Sequence, residues 1–253
     1  MFRTKMVVTD LDGTLLNNDK EISEYTYEVL KKLKDKKILF VIATARPRRA
    51  AKKYFENNLC DYAIYHNGAL VHDEVKAIKK IGIPDAITIV NSILADFPSS
   101  PICIEANDQL YANFEADTIW KGEKYIYTDF ENWPNITADK IIIETNSLEK
   151  MEVLKKYLSV DQYIQMSENK IAMIMNKNAK KLNAIRFIAK ASGINCEEIV
   201  SFGDDYNDME MLQWCGKGIA VENALKDVKE IADEICDSNQ KDGVAKWIEK
   251  NIL

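Results

Sequence analysis

Asp10-Leu11-Asp12-Gly13-Thr14 sets two carboxylates two residues apart, directly after the apolar run Met6-Val7-Val8. A short apolar run closed by glycine reads as a buried strand and the turn that ends it. Alternate residues of an extended chain point the same way, so Asp10 and Asp12 can face one site. Open α/β sheets bind their ligands beyond the carboxyl ends of the strands, where this pair would lie. Two carboxylates there suit a hard cation, since Mg²⁺ takes one or two carboxylates together with phosphate oxygens. They also suit a covalent step, because an aspartate can attack phosphorus.

A second acidic cluster, Ser201-Phe202-Gly203-Asp204-Asp205-Tyr206-Asn207-Asp208, follows another strand-like run, Ile199-Val200, and opens an apparent helix at Met209. Capping and the helix dipole account for one or two acids at a helix start. They do not account for both clusters falling at strand ends of one alternating pattern. Between them stand Ala43-Thr44-Ala45-Arg46, after the run Ile38–Ile42, and the pair Lys180-Lys181 at the start of a helix.

The elements that must position these residues alternate regularly at both ends of the chain. A strand over 5–9, a helix over 23–37, a strand over 38–43, a helix over 47–57 with Pro47 in its first turn, and a strand over 62–65 make a βαβαβ unit. That order implies a parallel sheet with right-handed crossovers. The rhythm returns with a helix over 180–192 closed by Gly193, a strand over 199–202, a helix over 207–214, a strand over 218–220 and a helix over 224–231. A strand over 233–236 and a helix over 243–250 finish it. In between, a helix over 85–96 ends at Pro98-Ser99-Ser100-Pro101 and the strands lie in hairpins. One pairs 102–105 with 110–114 around Asn107-Asp108-Gln109; the other pairs 163–167 with 171–175 around Glu168-Asn169-Lys170. A strand over 140–145 and a helix over 148–158 separate them. The expected fold is α/β, with a Rossmann-like parallel-sheet core from residues 1–82 and 177–253 and an α+β domain, 83–176, inserted into it. The 34 residues from Asp10 to Thr44 fit one crossover, whereas the 136 from Thr44 to Lys180 leave room for the insert.

The four segments resemble, in order, the four motifs of the haloacid dehalogenase-like (HAD) hydrolases. His66-Asn67-Gly68-Ala69 and the long insert before Lys180 are similar to the Cof-type phosphatases with a type IIB cap. The resemblance implies a Mg²⁺-dependent phosphatase of small phosphate monoesters such as sugar phosphates, with the cap excluding water and reading the leaving group. It implies Asp10 as nucleophile, forming an aspartyl-phosphate, and Asp12 as general acid and then base, its backbone carbonyl offered to the metal. The implied Mg²⁺ ligands are Asp10, Asp12 and Asp204. Thr14 pins the loop, Thr44 donates its hydroxyl to a phosphoryl oxygen, and Lys180 neutralises the phosphoryl charge. Lys181 is the alternative lysine, set aside because the family's spacing to Gly203-Asp204 favours Lys180. Asp208 holds that lysine or a metal-bound water, Asn207 contacts phosphate, Arg46 and Asn67 are candidate substrate contacts, and Asp205 faces solvent. Ala45 and Lys181 stand where the family often has glycine; neither departure removes a reacting group. Two other functions fit the same residues: phosphotransfer, as in the related phosphomutases, and phosphate-ligand binding without turnover.

Composition narrows the class further. A chain of 253 residues, 47% apolar and 29% charged, has room for two ordinary globular cores. A net charge of −6 argues against nucleic acid as partner, leaving a small phosphate ester. The basic run Lys31–Lys37 ends a helix, where cations complement the dipole. The five cysteines form no CxxC pair, no leader-like segment opens the sequence, and no run of 18 apolar residues occurs, so a cytoplasmic protein without a membrane partner is expected. Two histidines, His66 and His72, are too few for a histidine zinc cage. The chain is expected to act alone or as a homodimer.

Overall fold

The run after Lys5 becomes β1 (Met6–Thr9), buried at every residue. The computed structural model describes residues 4–55, 59–134, 136–167 and 170–253. After β1 come α1 (Glu24–Asp35), β2 (Leu39–Ala43), the short α2 (Arg48–Ala51), β3 (Tyr62–Tyr65), β4 (Leu70–Asp73) and β5 (Ala77–Lys80). Ser23 caps α1 by accepting a 3.0 Å hydrogen bond from the Thr26 amide, and Thr26, Val29, Leu30 and Leu33 form its buried stripe. The helix expected over 47–57 is α2 followed by a 3₁₀ turn at Lys52–Tyr54; its expected end lies outside the described residues.

The inserted segment holds α3 (Ala86–Asp96), β6 (Ile102–Ala106), β7 (Gln109–Ala112), β8 (Ile126–Tyr127), β9 (Lys140–Glu144), α4 (Leu148–Leu154), β10 (Gln162–Ser167) and β11 (Ile171–Asn176). Its six strands run in the order β10-β11-β9-β6-β7-β8. Asn107 and Asp108 both take positive φ, 51° and 62°, as a two-residue hairpin turn matched to strand twist requires. The turn expected at Glu168-Asn169 between β10 and β11 lies outside the described residues. Side chains alternate between two cores: Ile102, Ile104 and Ala106 pack with Ile89, Val90 and Ile93 of α3, while Cys103 packs with Ile142, Met173 and Met175. This segment, residues 80–179, is one compact unit, and the chain on either side of it forms the other. Its limits lie three residues outside the expected 83 and 176. The Asn176 side chain reaches the Gly82 carbonyl at 3.1 Å and the Tyr163 hydroxyl the Ala179 carbonyl at 3.3 Å, holding both ends within the unit.

The core resumes with α5 (Lys181–Ser192), β12 (Ile199–Gly203), α6 (Met209–Trp214), β13 (Lys217–Val221), α7 (Lys226–Ile231), β14 (Glu234–Cys236) and α8 (Gly243–Asn251). Its sheet has the order β14-β13-β12-β1-β2-β3-β4-β5. From β14 to β3 every pairing is parallel, whereas β4 runs antiparallel to β3. The β4–β5 edge is not among the expected strands and adds an antiparallel margin to the expected parallel-sheet core. Four residues, His66–Ala69, join β3 to β4, and a parallel return needs a dozen or more. Both faces of the sheet are covered: Val7 packs into a cluster with α1 and α8, Met6 and Val8 into one with α5 and α6.

Strand register brings the acidic residues together. Thr9 is level with Phe202 on β12 and with Ile42 on β2, so three adjacent strands finish together. The Asp10 amide extends the ladder by one bond, to the Phe202 carbonyl at 3.0 Å. Asp10, Thr44 and Asp204 therefore leave the carboxyl edge side by side, where the connections from β1 and β12 part to opposite sides. α5 depends on its apolar seat among Val8, Ile64 and Met211. Replacing the fully buried Ile185 by alanine is expected to lower the unfolding free energy by about 2–5 kcal/mol, read from urea denaturation.

Candidate active site

Beyond β1 the backbone ceases to be extended. Leu11–Leu15 coil into a wide turn closed by the Leu16 amide on the Leu11 carbonyl at 2.9 Å. Gly13 takes φ 75°, and a Cβ there would fall 2.4 Å from Oδ2 of Asp204, so the turn needs both the conformation and the missing side chain. Thr14, on the same turn, donates its hydroxyl to Oδ1 of Asp204 at 2.6 Å.

Asp10, Asp204 and Asp208 bring carboxylate oxygens within 4.8 Å of one another. Into this group reaches Lys181, fully buried, whose Nζ lies 2.6 Å from Oδ1 of Asp10 and 2.7 Å from Oδ1 of Asp208. Asp208 spends its other oxygen on the backbone, accepting from the amides of Asp204 at 3.0 Å and Asp205 at 3.2 Å. It thus anchors both the lysine and the turn after β12. Burial alone would lower the pKa of Lys181, but the two carboxylates outweigh it and the ammonium is held charged, its pKa raised. Burial pushes the Asp10 carboxyl well above the usual range despite Lys181, with Asp208 and Asp204 adding to the push. Burial likewise raises Asp204 to about 6, against the Thr14 hydrogen bond.

The lysine expected in this place was Lys180, and the structure corrects that assignment to Lys181. Lys180 is the extended N-cap residue of α5, half exposed, and pairs with Glu210 at the surface. Lys181 is the first residue of the helix and lies on the stripe that continues through Ile185 and Ile188, four and seven residues on, which α5 turns inward. Its neighbour points elsewhere. Helical periodicity carried this signal in the sequence; spacing to Gly203-Asp204 did not.

Asp12 also departs from its expected surroundings. Its carboxylate joins neither Asp10 nor Asp204 in the acidic cluster, where Asp208 makes the third member. Instead Arg46 grips it with two bonds, Nε to Oδ2 at 2.6 Å and Nη2 to Oδ1 at 2.5 Å, and Lys20 adds a third to Oδ1 at 2.8 Å. Partial burial would raise its pKa, but the hydrogen bonds from Arg46 and Lys20 and their charges carry it below the usual carboxylate range. Lys20 had no motif to mark it.

The remaining candidates line the neighbouring strand ends. Thr44 is buried, and its hydroxyl oxygen accepts from the Arg46 amide at 3.1 Å. The Thr44 carbonyl accepts from the Asn67 amide at 3.0 Å, tying the end of β2 to the His66-Asn67-Gly68 turn. Asn207 donates through Nδ2 to Oδ1 of Asn67 at 3.0 Å, while its own Oδ1 is buried with no hydrogen-bond partner among the described residues. Asp205 is exposed and accepts from the Tyr206 amide at 2.7 Å.

The donor set fits a hard divalent cation. Asp10, Asp204 and Asp208 offer carboxylate oxygens alone, without histidine or cysteine, as Mg²⁺ prefers. When ionised, these carboxylates outnumber the one ammonium beside them, and a divalent ion would balance the excess negative charge.

The same architecture occurs in characterised proteins. A family model described as haloacid dehalogenase-like hydrolase matches residues 7–248. A Haemophilus influenzae protein provisionally named a phosphatase is 29% identical, over 98% of each chain. The 5-amino-6-(5-phospho-D-ribitylamino)uracil phosphatase YitU of Bacillus subtilis is 27% identical over 97% of this chain and 96% of its own. A solved structure of a HAD subclass IIB sugar phosphatase superposes with a TM-score of 0.86 at 26% identity, covering 99% of this chain and all of that one.

Two outcomes test the cluster. Lys181→Met is expected to destabilise the metal-free protein by about 3–5 kcal/mol, because it leaves buried carboxylates uncompensated. Lys180→Met, which breaks a surface pair, should stay within about 1 kcal/mol; equal losses in chemical denaturation would overturn the correction. A divalent cation must also displace the proton that Asp204 binds below about pH 6. Asp10, also raised, adds to the same competition, so apparent Mg²⁺ affinity, measured by calorimetry, should fall as pH drops, and for the Asp204 proton by up to about tenfold per unit below about pH 6.

Proposed function

The chain belongs to the haloacid dehalogenase-like hydrolases and is a phosphoric monoester hydrolase, and we propose that it removes phosphate from small phosphorylated metabolites, such as sugar phosphates, with Mg²⁺ and through an aspartyl-phosphate. The observation that carries this reading is the buried Asp10–Lys181–Asp208 bridge at the carboxyl edge of β1, with Asp204 beside it. The sugar phosphatase and the phosphoribityl phosphatase among its relatives support the substrate class.

In this reading Asp10, Asp204 and the Asp12 backbone carbonyl hold Mg²⁺, which would supply charge against the phosphoryl oxygens. A carboxylate oxygen of Asp10 attacks phosphorus, and the bond from phosphorus to the ester oxygen breaks. Asp12, having taken up a proton from solvent as one of its bonds to Arg46 opens, gives that proton to the leaving oxygen. Water then attacks phosphorus of the aspartyl-phosphate and passes a proton to Asp12; phosphate leaves and Asp10 is restored. Lys181 orients Asp10 and places positive charge beside the transferred group, while Asp208 orients Lys181. The Thr44 hydroxyl already accepts from the Arg46 amide, so its own proton is left to meet a phosphoryl oxygen. Positioning and charge neutralisation are what phosphoryl transfer chiefly needs from a protein.

Asp10→Asn is expected to cut Mg²⁺-dependent phosphate release from a panel of sugar phosphates by at least about 10³-fold, with the fold intact by circular dichroism. Full activity in that variant, or undiminished release by the wild type in EDTA, would sink the reading.

A further inference from the structure

The Asp12 carboxylate, near the strand edge, is held by two cations from outside the buried cluster. Arg46 meets it as a planar fork, two nitrogens on two oxygens, the geometry that fixes the orientation of both partners. The fork is itself braced. Its guanidinium lies over the Tyr54 ring, 5.5 Å from the centroid, and Nη1 reaches the Ala50 carbonyl at 3.3 Å. The Tyr54 hydroxyl donates to the Lys20 carbonyl at 2.8 Å, so the ring under Arg46 also ties down the residue whose ammonium makes the third bond to Asp12. Two side chains, one from the connection after β1 and one from that after β2, thereby converge on one carboxyl group, with Tyr54 bracing both.

Asp12 sits on a turn that glycine makes pliable, and its side chain is a third exposed. Without the fork the carboxylate would keep only the single bond from the half-exposed Lys20, which holds one oxygen and does not fix the plane of the group. We propose that Arg46 is a positioning residue for the reaction: it acts through Asp12, aiming the carboxyl toward the leaving oxygen, rather than on the phosphoryl group. The proposal rests on the reading of Asp12 as proton donor. Both Asp12 oxygens are held at rest as a carboxylate, so the group takes up and passes on a proton only when one bond of the fork opens, and the other then keeps the carboxyl aligned. A lysine cannot replace this function, because a single ammonium carries the charge without the fork.

Leaving-group dependence tests the proposal. An alkyl phosphate such as glycerol phosphate needs a proton on its departing oxygen, whereas p-nitrophenyl phosphate, with a far weaker base as leaving group, does not. The ratio of kcat/KM for the two esters therefore reports proton donation up to formation of the aspartyl-phosphate. Arg46→Ala is expected to lower kcat/KM for the alkyl ester at least tenfold more than for the aryl ester. Arg46→Lys should show the same selective loss, and it carries the comparison alone if the alanine variant fails to fold. Adding Arg46→Ala to Asp12→Asn should cost the alkyl ester little beyond Asp12→Asn alone, since the group that Arg46 aims is already gone. Equal losses for both esters, rescue by lysine, or full additivity with Asp12→Asn would overturn the proposal and put Arg46 on the phosphoryl group. If Asp12→Asn itself were unselective, the reading of Asp12 as acid would fail, and the proposal with it; a selective Asp12→Asn with an unselective Arg46→Ala would sink the proposal alone.

Discussion

A lysine ammonium shared by two carboxylates in a dry interior is a demanding arrangement. Removing such ions from water costs several kcal/mol each, and their attraction compensates only with short contacts on every side. Lys181 meets this condition with bonds of 2.6 and 2.7 Å, and Asp208 meets it by giving its second oxygen to two backbone amides. These contacts bind α5, β1 and the turn after β12 into one frame. The helix cannot slide along the sheet without stripping Asp10 of its partner. Stability and chemistry thus draw on the same three side chains, and the frame still leaves negative charge uncancelled, which makes it receptive to a cation.

Phosphoryl transfer asks for this kind of rigidity. The transition state spreads charge over oxygens whose positions the protein must anticipate, so groups fixed beforehand by packing and hydrogen bonds are worth more than mobile ones. The level ending of β12, β1 and β2 supplies the platform: three strands in register release Asp204, Asp10 and Thr44 at one height. Gly13 then lets the chain pass close over Asp204.

Much of this was legible in the sequence because it rests on local patterns. Apolar runs followed by acidic turns marked β1 and β12 and the residues leaving them. The change from βα units to hairpins is the pattern from which an insert over 83–176 is expected; the compact unit here spans residues 80–179. What escaped was decided by tertiary geometry. The β4–β5 edge gives no strong pattern, for Leu70–Asp73 is short and only partly buried. Lys180 is the extended residue before α5 and Lys181 the first residue within it, and a motif that counts residues cannot separate the two; the apolar stripe through Ile185 and Ile188 can. Lys20 reaches Asp12 across eight residues of irregular chain, which no periodicity predicts.

The DxD spacing illustrates how far such inference carries. In an extended strand the two aspartates would share one face and one environment. The chain stays extended through Asp10, and the turn that begins at Leu11 directs their carboxyls toward different partners. Asp10 is buried among acids with one ammonium; Asp12 is partly exposed between a guanidinium and an ammonium. Their proton affinities are driven in opposite directions, up for the first and down for the second. Two chemically identical side chains are thereby made unequal before any ligand arrives, and it is environment that fits groups of one kind to different tasks. The raised carboxyl is the one whose charged, nucleophilic form a neighbouring metal ion would favour. The lowered one begins as a carboxylate and must be released from its cations before it can carry a proton. The order of events at this strand edge is therefore written in the charges around each carboxyl rather than in the motif that places them there.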